Sequence, residues 1–149
     1  MAPNGIPIAT LGGNAKIAEG VSALLAPDYD FVHICLSPET ALAELPQVCA
    51  GKLDGPNAAQ LGSNAQRAVG ERRTPKAVVF GAGVADAEAD NIVAAIKEVA
   101  PDINIVRVPR EEVVAASGGK TPPEVGVIAK IVKEKLDALV AKGLLEAAA

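Results

Sequence analysis

Lys76-Ala77-Val78-Val79-Phe80-Gly81-Ala82-Gly83 sets the reading of the whole chain. A short apolar run ends abruptly at a glycine turn. Beyond it, Ile92, Val93, Ile96 and Val99 recur at helical spacing, opposite Glu88, Asp90, Lys97 and Glu98. This is strand, glycine turn and amphipathic helix, with Asp86 expected to cap the helix. Upstream the same grammar appears twice. Ile6–Leu11 is a strand whose Pro7 suits its first residues, Gly12-Gly13 breaks it, and Asn14 can cap a helix carrying Ile17, Ala18, Val21, Leu24 and Leu25. Phe31–Leu36 is a near-continuously apolar strand, followed by Ser37 as cap and Pro38 in the first turn of an Ala/Leu-rich helix.

Downstream, Ile103–Val108 alternates apolar and polar residues, which predicts an edge or partly exposed strand closed by Pro109. Arg110–Ala116 reads as a short helix. Thr121-Pro122-Pro123-Glu124 has the spacing of a capping box, opening a last helix with a stripe from Val125 to Val140. Residues 51–75 fit neither period. They are expected to form a long connection, with a short helix within 57–69, an exposed Arg72-Arg73 pair, and a lid or a solvated linker as the two readings.

Strand and helix thus alternate at least four times along 149 residues, a length that suits one domain, 1–149. The fold class is α/β: a compact three-layer domain with a mostly parallel four- or five-stranded sheet and expected strand order 2-1-3-4. The pattern is similar to flavodoxin-like or receiver-like Rossmannoid domains. A receiver-like reading implies carboxylates after the first and third strands, and Thr10–Gly13 and Phe80-Gly81 supply none. A flavodoxin-like reading implies aromatic residues around a flavin. The chain has no Trp, one Tyr and two Phe.

Composition narrows the partners. Half of the residues are apolar, the formal charge is -4, and aromatic residues are 2% of the chain. That excludes disorder and argues against a stacking or phosphate-neutralising nucleic-acid surface. No apolar stretch reaches the roughly 18 residues that cross a bilayer, and residues 1–5 lack the basic and apolar regions of a signal peptide. A cytoplasmic protein is the expectation, with no nucleic-acid or membrane partner.

In an open α/β sheet, ligands collect beyond the strand carboxyl ends where the connections reverse direction. Order 2-1-3-4 brings Gly12, Gly13 and Asn14 beside Gly81, Ala82 and Gly83, with Ser37 and Arg110 on the same rim. Backbone N–H groups and helix amino ends there suit a small anionic metabolite or cofactor phosphate. Neither turn matches G-x-G-x-x-G, and Gly118-Gly119-Lys120-Thr121 lacks the upstream glycine of a P-loop. The alternative is that these glycines serve sharp turns only, and the domain is a structural or interaction module. A homodimer through the Ile103–Val108 edge or the last helix, and a degenerate receiver-like module, belong to that second class.

His33 and Cys35 share one face of a strand. They read first as core residues and second as a thiol–imidazole pair. One His and two separated Cys do not supply three metal ligands, so no metal centre is expected; the cofactor and the reaction stay open. Cys35 and Cys49 are read as buried thiols.

Overall fold

The computed structural model describes residues 6–12, 15–25, 28–53, 61–66, 68–81, 84–108, 110–116, 118 and 125–143. Four strands, β1 (Ile6–Leu11), β2 (Tyr29–Cys35), β3 (Ala77–Phe80) and β4 (Asn104–Arg107), form one parallel sheet in the order β2-β1-β3-β4. Helix α1 (Ala15–Leu25) follows β1, α2 (Pro38–Cys49) follows β2 and α3 (Asp86–Val99) follows β3. Then α4 (Arg110–Ala116) and α5 (Val125–Ala141) follow β4. Among the described residues, no helix is long and apolar enough to cross a membrane.

Two apolar cores lie on opposite faces of the sheet. On one face, Ile6, Ile8, Phe31, Ile34 and Val79 pack against Val21 and Leu25 of α1 and Val132 and Leu136 of α5. On the other, Ala9, Leu11, Cys35, Val78 and Phe80 pack against Ala41 and Leu45 of α2 and Ile92 and Ile96 of α3. The result is a three-layer α/β domain of the Rossmannoid, flavodoxin-like type with four strands. With both faces covered, β1, β2 and β3 are buried along their whole lengths, whereas edge strand β4 keeps Arg107 exposed.

The helix starts follow the local chemistry unevenly. Ser37 caps α2 as expected: its hydroxyl accepts from the Thr40 N–H at 3.2 Å, and Pro38 opens the helix. Pro46 sits inside α2, which continues to Cys49. Asp86 does not cap α3. Ala85 takes that place without a side-chain bond, and Asp86 lies in the first turn, where its charge still favours the helix amino end. The expected caps at Asn14 and Thr121 lie outside the described residues.

Strand β2 holds the decisive irregularity. Its register against β1 runs Ile8↔Phe31 and then Ala9↔His33, leaving Val32 as an extra residue, a β-bulge. A bulge shifts the two-residue alternation by one. Tyr29 and Phe31 face the α1/α5 core, but beyond Val32 it is Cys35, another odd-numbered residue, that belongs to the α2/α3 core. Without the extra residue, His33 and Cys35 would face away from α2.

The connection from α2 to β3 braces this bulge, and the short helix expected within 57–69 falls partly on residues outside the described set. Residues 54–60 and 67 lie outside the described set. The remainder forms an antiparallel bridge between Leu61 and Ile34 and two 3-10 turns, Ser63–Gln66 and Val69–Glu71. Arg72 and Arg73 are not a solvated pair. Arg73 Nη1 meets Asp30 Oδ2 at 3.1 Å, and Arg72 Nη1 donates to the Leu53 carbonyl at 2.6 Å. Ser63 donates to the other Asp30 oxygen at 2.6 Å, while Asn64 binds both the N–H and the carbonyl of Arg73. These bonds fasten the segment along the outer edge of β2.

Gly62 is where the strap touches the bulge. Its φ of 93° is left-handed backbone, and a Cβ there would come 2.5 Å from the Val32 carbonyl oxygen and 2.8 Å from the His33 nitrogen. A methyl group at this position is therefore strained twice, by its backbone conformation and by contact with main-chain atoms that cannot rotate away. Gly62→Ala is expected to destabilise the protein by at least about 1–3 kcal/mol. Chemical denaturation checks this, and unchanged stability would show that the strap does not lie against β2.

Candidate functional site

The bulge sets two side chains of β2 towards α2, and α2 answers with a third. The buried residues of that helix are Ala41, Glu44, Leu45, Val48 and Cys49, an apolar stripe interrupted by one carboxylate. Glu44 Oε1 lies 2.8 Å from His33 Nε2 and 3.6 Å from the Cys35 sulfur, whose thiol donates to it. His33, Cys35 and Glu44 are 3%, 0% and 3% exposed. Their ligand-type atoms, one from each residue, all lie within 4.8 Å of one another. Thr40 lies one helical turn before Glu44, and its hydroxyl donates to the Ser37 carbonyl at 3.0 Å.

A carboxylate buried among apolar side chains is costly unless its oxygens are bonded. Here the imidazole and the thiol supply partners, and no described buried side-chain polar atom is left without one. The arrangement argues against Cys35 as a nucleophile. Burial pushes its thiol well above the ordinary cysteine range, and the Glu44 carboxylate pushes it further. At neutral pH the group is a protonated thiol, whereas nucleophilic cysteines need a stabilised thiolate. The thiol–imidazole pair expected as the catalytic alternative is thus a three-member cluster with the carboxylate between its partners.

The expectation of no metal centre rested on one His and two separated Cys, and the structure sets a third ligand-type side chain, Glu44, beside two of these. Counting His and Cys alone left out Glu44, which resembles any other charge on a helix. The signal was present nonetheless: Glu44 falls at the i+3 place of a stripe otherwise made of Ala41, Leu45 and Val48.

The strand carboxyl ends lie close by. The Gly12 N–H donates to the Cys35 carbonyl at 3.0 Å, so the trio begins one peptide below the rim. The Gly81 N–H donates to the Leu11 carbonyl at 2.9 Å. Sheet bonding thereby uses both of these donors. A Cβ on Gly81 would stand 3.7 Å from the Gly12 Cα, which places these two glycines side by side as the strand order requires. Ser37 is the α2 cap, and Arg110 begins α4. Gly13, Asn14, Ala82, Gly83 and the Arg110 side chain lie outside the described residues. At the opposite, amino end of the sheet, an open depression of about 540 Å³ is lined by Lys76, Val99 and Asn104. There the Ala50 N–H donates to the Pro46 and Gln47 carbonyls of α2, and the Ala100 N–H to the Ile96 carbonyl of α3.

Among curated proteins, the chain is similar to "Kojic acid related protein 6" of Aspergillus oryzae (strain ATCC 42149 / RIB 40), with 30% identity over 148 residues. The match covers 95% of this chain and 82% of that protein. The chain belongs to the family of that protein. An alignment of this extent takes in the bulged strand, α2 and both glycine turns. No family model matches the chain, and no solved structure matches it. In this member of the Kojic acid related protein 6 family, a buried His–Cys–Glu cluster lies below the carboxyl ends of the parallel sheet.

Proposed function

We propose that the protein binds a small anionic metabolite or cofactor phosphate at the carboxyl ends of β1 and β3. The observation that carries this reading is the strand order β2-β1-β3-β4. The chain runs outward from β1 to β2 and then back past β1 to β3, which makes the gap between β1 and β3 the point of reversal. In open α/β sheets that crevice is the usual ligand position, because neighbouring connections leave on opposite faces and part there. Gly12 supports the reading. A Cβ there would meet nothing within 4 Å among the described residues, which leaves room above the end of β1.

The donors for such a ligand are the turn residues Gly13, Asn14, Ala82 and Gly83, with Ser37 and Arg110 at the rim. Gly12 and Gly81 take a different part, since their N–H groups are in the sheet. They keep the floor of the crevice free of side chains. The proposal extends to binding and names no reaction.

Gly12→Ala provides a clean test, because the added methyl has room in the folded protein and fills the crevice. Inorganic phosphate is the probe, followed by thermal shift and by backbone NMR. The expected result is an unchanged melting temperature without phosphate and a weaker response to phosphate than in the wild type. Arg110→Ala is expected to weaken the response as well. A wild-type protein indifferent to phosphate, or a response untouched by both substitutions, rejects the reading.

A further inference from the structure

We infer that His33, Cys35 and Glu44 form a binding site for one divalent first-row transition-metal ion, with zinc the best fit. The inference stands independently of the anion-binding proposal, since it concerns the buried face of β2 and α2 and not the turns above them.

Ligand type is the first argument. An imidazole nitrogen, a sulfur and a carboxylate oxygen converge from rigid elements, two from one strand and one from the helix that covers it. Zinc accepts all three donor types, at about 2.0–2.1 Å for nitrogen, 2.3 Å for sulfur and 2.0–2.2 Å for oxygen. Magnesium and calcium prefer all-oxygen shells, so the sulfur and nitrogen argue against them.

Distance is the second. Tetrahedral ligands at those bond lengths stand roughly 3.3–3.8 Å apart. The observed separations are 2.8 Å for His33 to Glu44 and 3.6 Å for Cys35 to Glu44, and the whole set lies within 4.8 Å. Side-chain movements of about an ångström convert the hydrogen-bonded trio into a ligand set. The backbone has already made the larger adjustment, because the extra residue Val32 turns the end of β2 towards Glu44.

Charge is the third. The site is enclosed by Ala41, Leu45 and other apolar groups, where a net charge would be poorly tolerated. On binding, the Cys35 S–H bond breaks, a sulfur–metal bond forms, and the proton leaves to solvent. A thiolate and a carboxylate together offset the two positive charges of the ion, and neutral His33 adds none. The buried centre is then electrically neutral. Three protein ligands leave one tetrahedral place for water or another small donor.

The experiment uses the full, reduced, chelator-treated chain titrated with Zn2+ by calorimetry and with Co2+ by absorption. The expected results are one ion per chain and, with cobalt, a sulfur-to-metal charge-transfer band together with intense tetrahedral ligand-field bands. Cys35→Ser should abolish the charge-transfer band, whereas Cys49→Ser should retain it. Glu44→Gln, which preserves side-chain shape, should weaken zinc binding by at least about 100-fold, because even outer-shell partners of metal ligands are worth 10–100-fold. Circular dichroism verifies that each variant is folded. The inference is overturned if wild-type protein binds neither ion, if its cobalt complex shows no sulfur band, or if the band persists in folded Cys35→Ser. The wild-type spectrum alone can reject it, so no outcome depends on a variant that fails to fold.

Discussion

Leu45→Ala is expected to destabilise the protein by about 2–5 kcal/mol, the range for emptying a fully buried leucine site. Leu45 is 0% exposed and lies beside Glu44 on α2, against the Cys35 face of the sheet. Its removal withdraws contacts from the helix that carries Glu44 and leaves space that neighbouring groups fill only in part. Leu136→Ala is the matching control: that residue is equally buried, but on α5 at the other face. Both variants should lose comparable stability in chemical denaturation. Only Leu45→Ala should also weaken Zn2+ binding, because only Leu45 supports the position of Glu44. Equal zinc affinity in the two variants would show that α2 packing does not hold the trio in place.

The second large effect is alkaline. Burial pushes the Cys49 thiol up to about 12, and burial together with Glu44 pushes the Cys35 thiol well above its ordinary value. In the unfolded chain both ionise near about pH 8.5. A group with a raised pKa in the folded protein contributes its full stability below the unfolded pKa and loses it as pH rises. Each thiol therefore removes roughly 1.4 kcal/mol per pH unit above pH 8.5, and the two together about 4 kcal/mol by pH 10. Tyr29, pushed up by burial and its hydrogen bond to Asp137, adds to the loss above about pH 10. Urea unfolding of the metal-free protein from pH 7 to 10 measures the slope, which should halve in Cys49→Ser. A flat profile between pH 8.5 and 10 would mean that the thiols are not buried in the folded state.

The architecture was largely legible in the chain because its signals are local. Apolar runs ended by Gly12-Gly13, Ser37-Pro38 and Gly81 identify strands that feed helices, and the connection rules then leave few strand orders. The polar break in Ile103–Val108 likewise marks the edge strand, since one face-and-edge environment acts on each residue separately. The site was less legible because it depends on registers between strands. Val32 looks like any β-branched strand residue, and only its pairing with β1 reveals it as a bulge. The same applies to Arg73, whose partner Asp30 is 43 residues away and carries no local mark of the contact. Glu44 was the exception that could have been found. A carboxylate within the stripe of Ala41, Leu45 and Val48 is a departure from amphipathic patterning, and such departures are where functional demands on a sequence are to be sought.

X-ray absorption at the zinc edge of the loaded protein reads directly whether the bulged strand and α2 create one mixed-ligand centre. One sulfur at about 2.3 Å and a remaining shell of nitrogen and oxygen at about 2.0–2.2 Å are expected. A shell without sulfur, or one with two sulfurs, would contradict this.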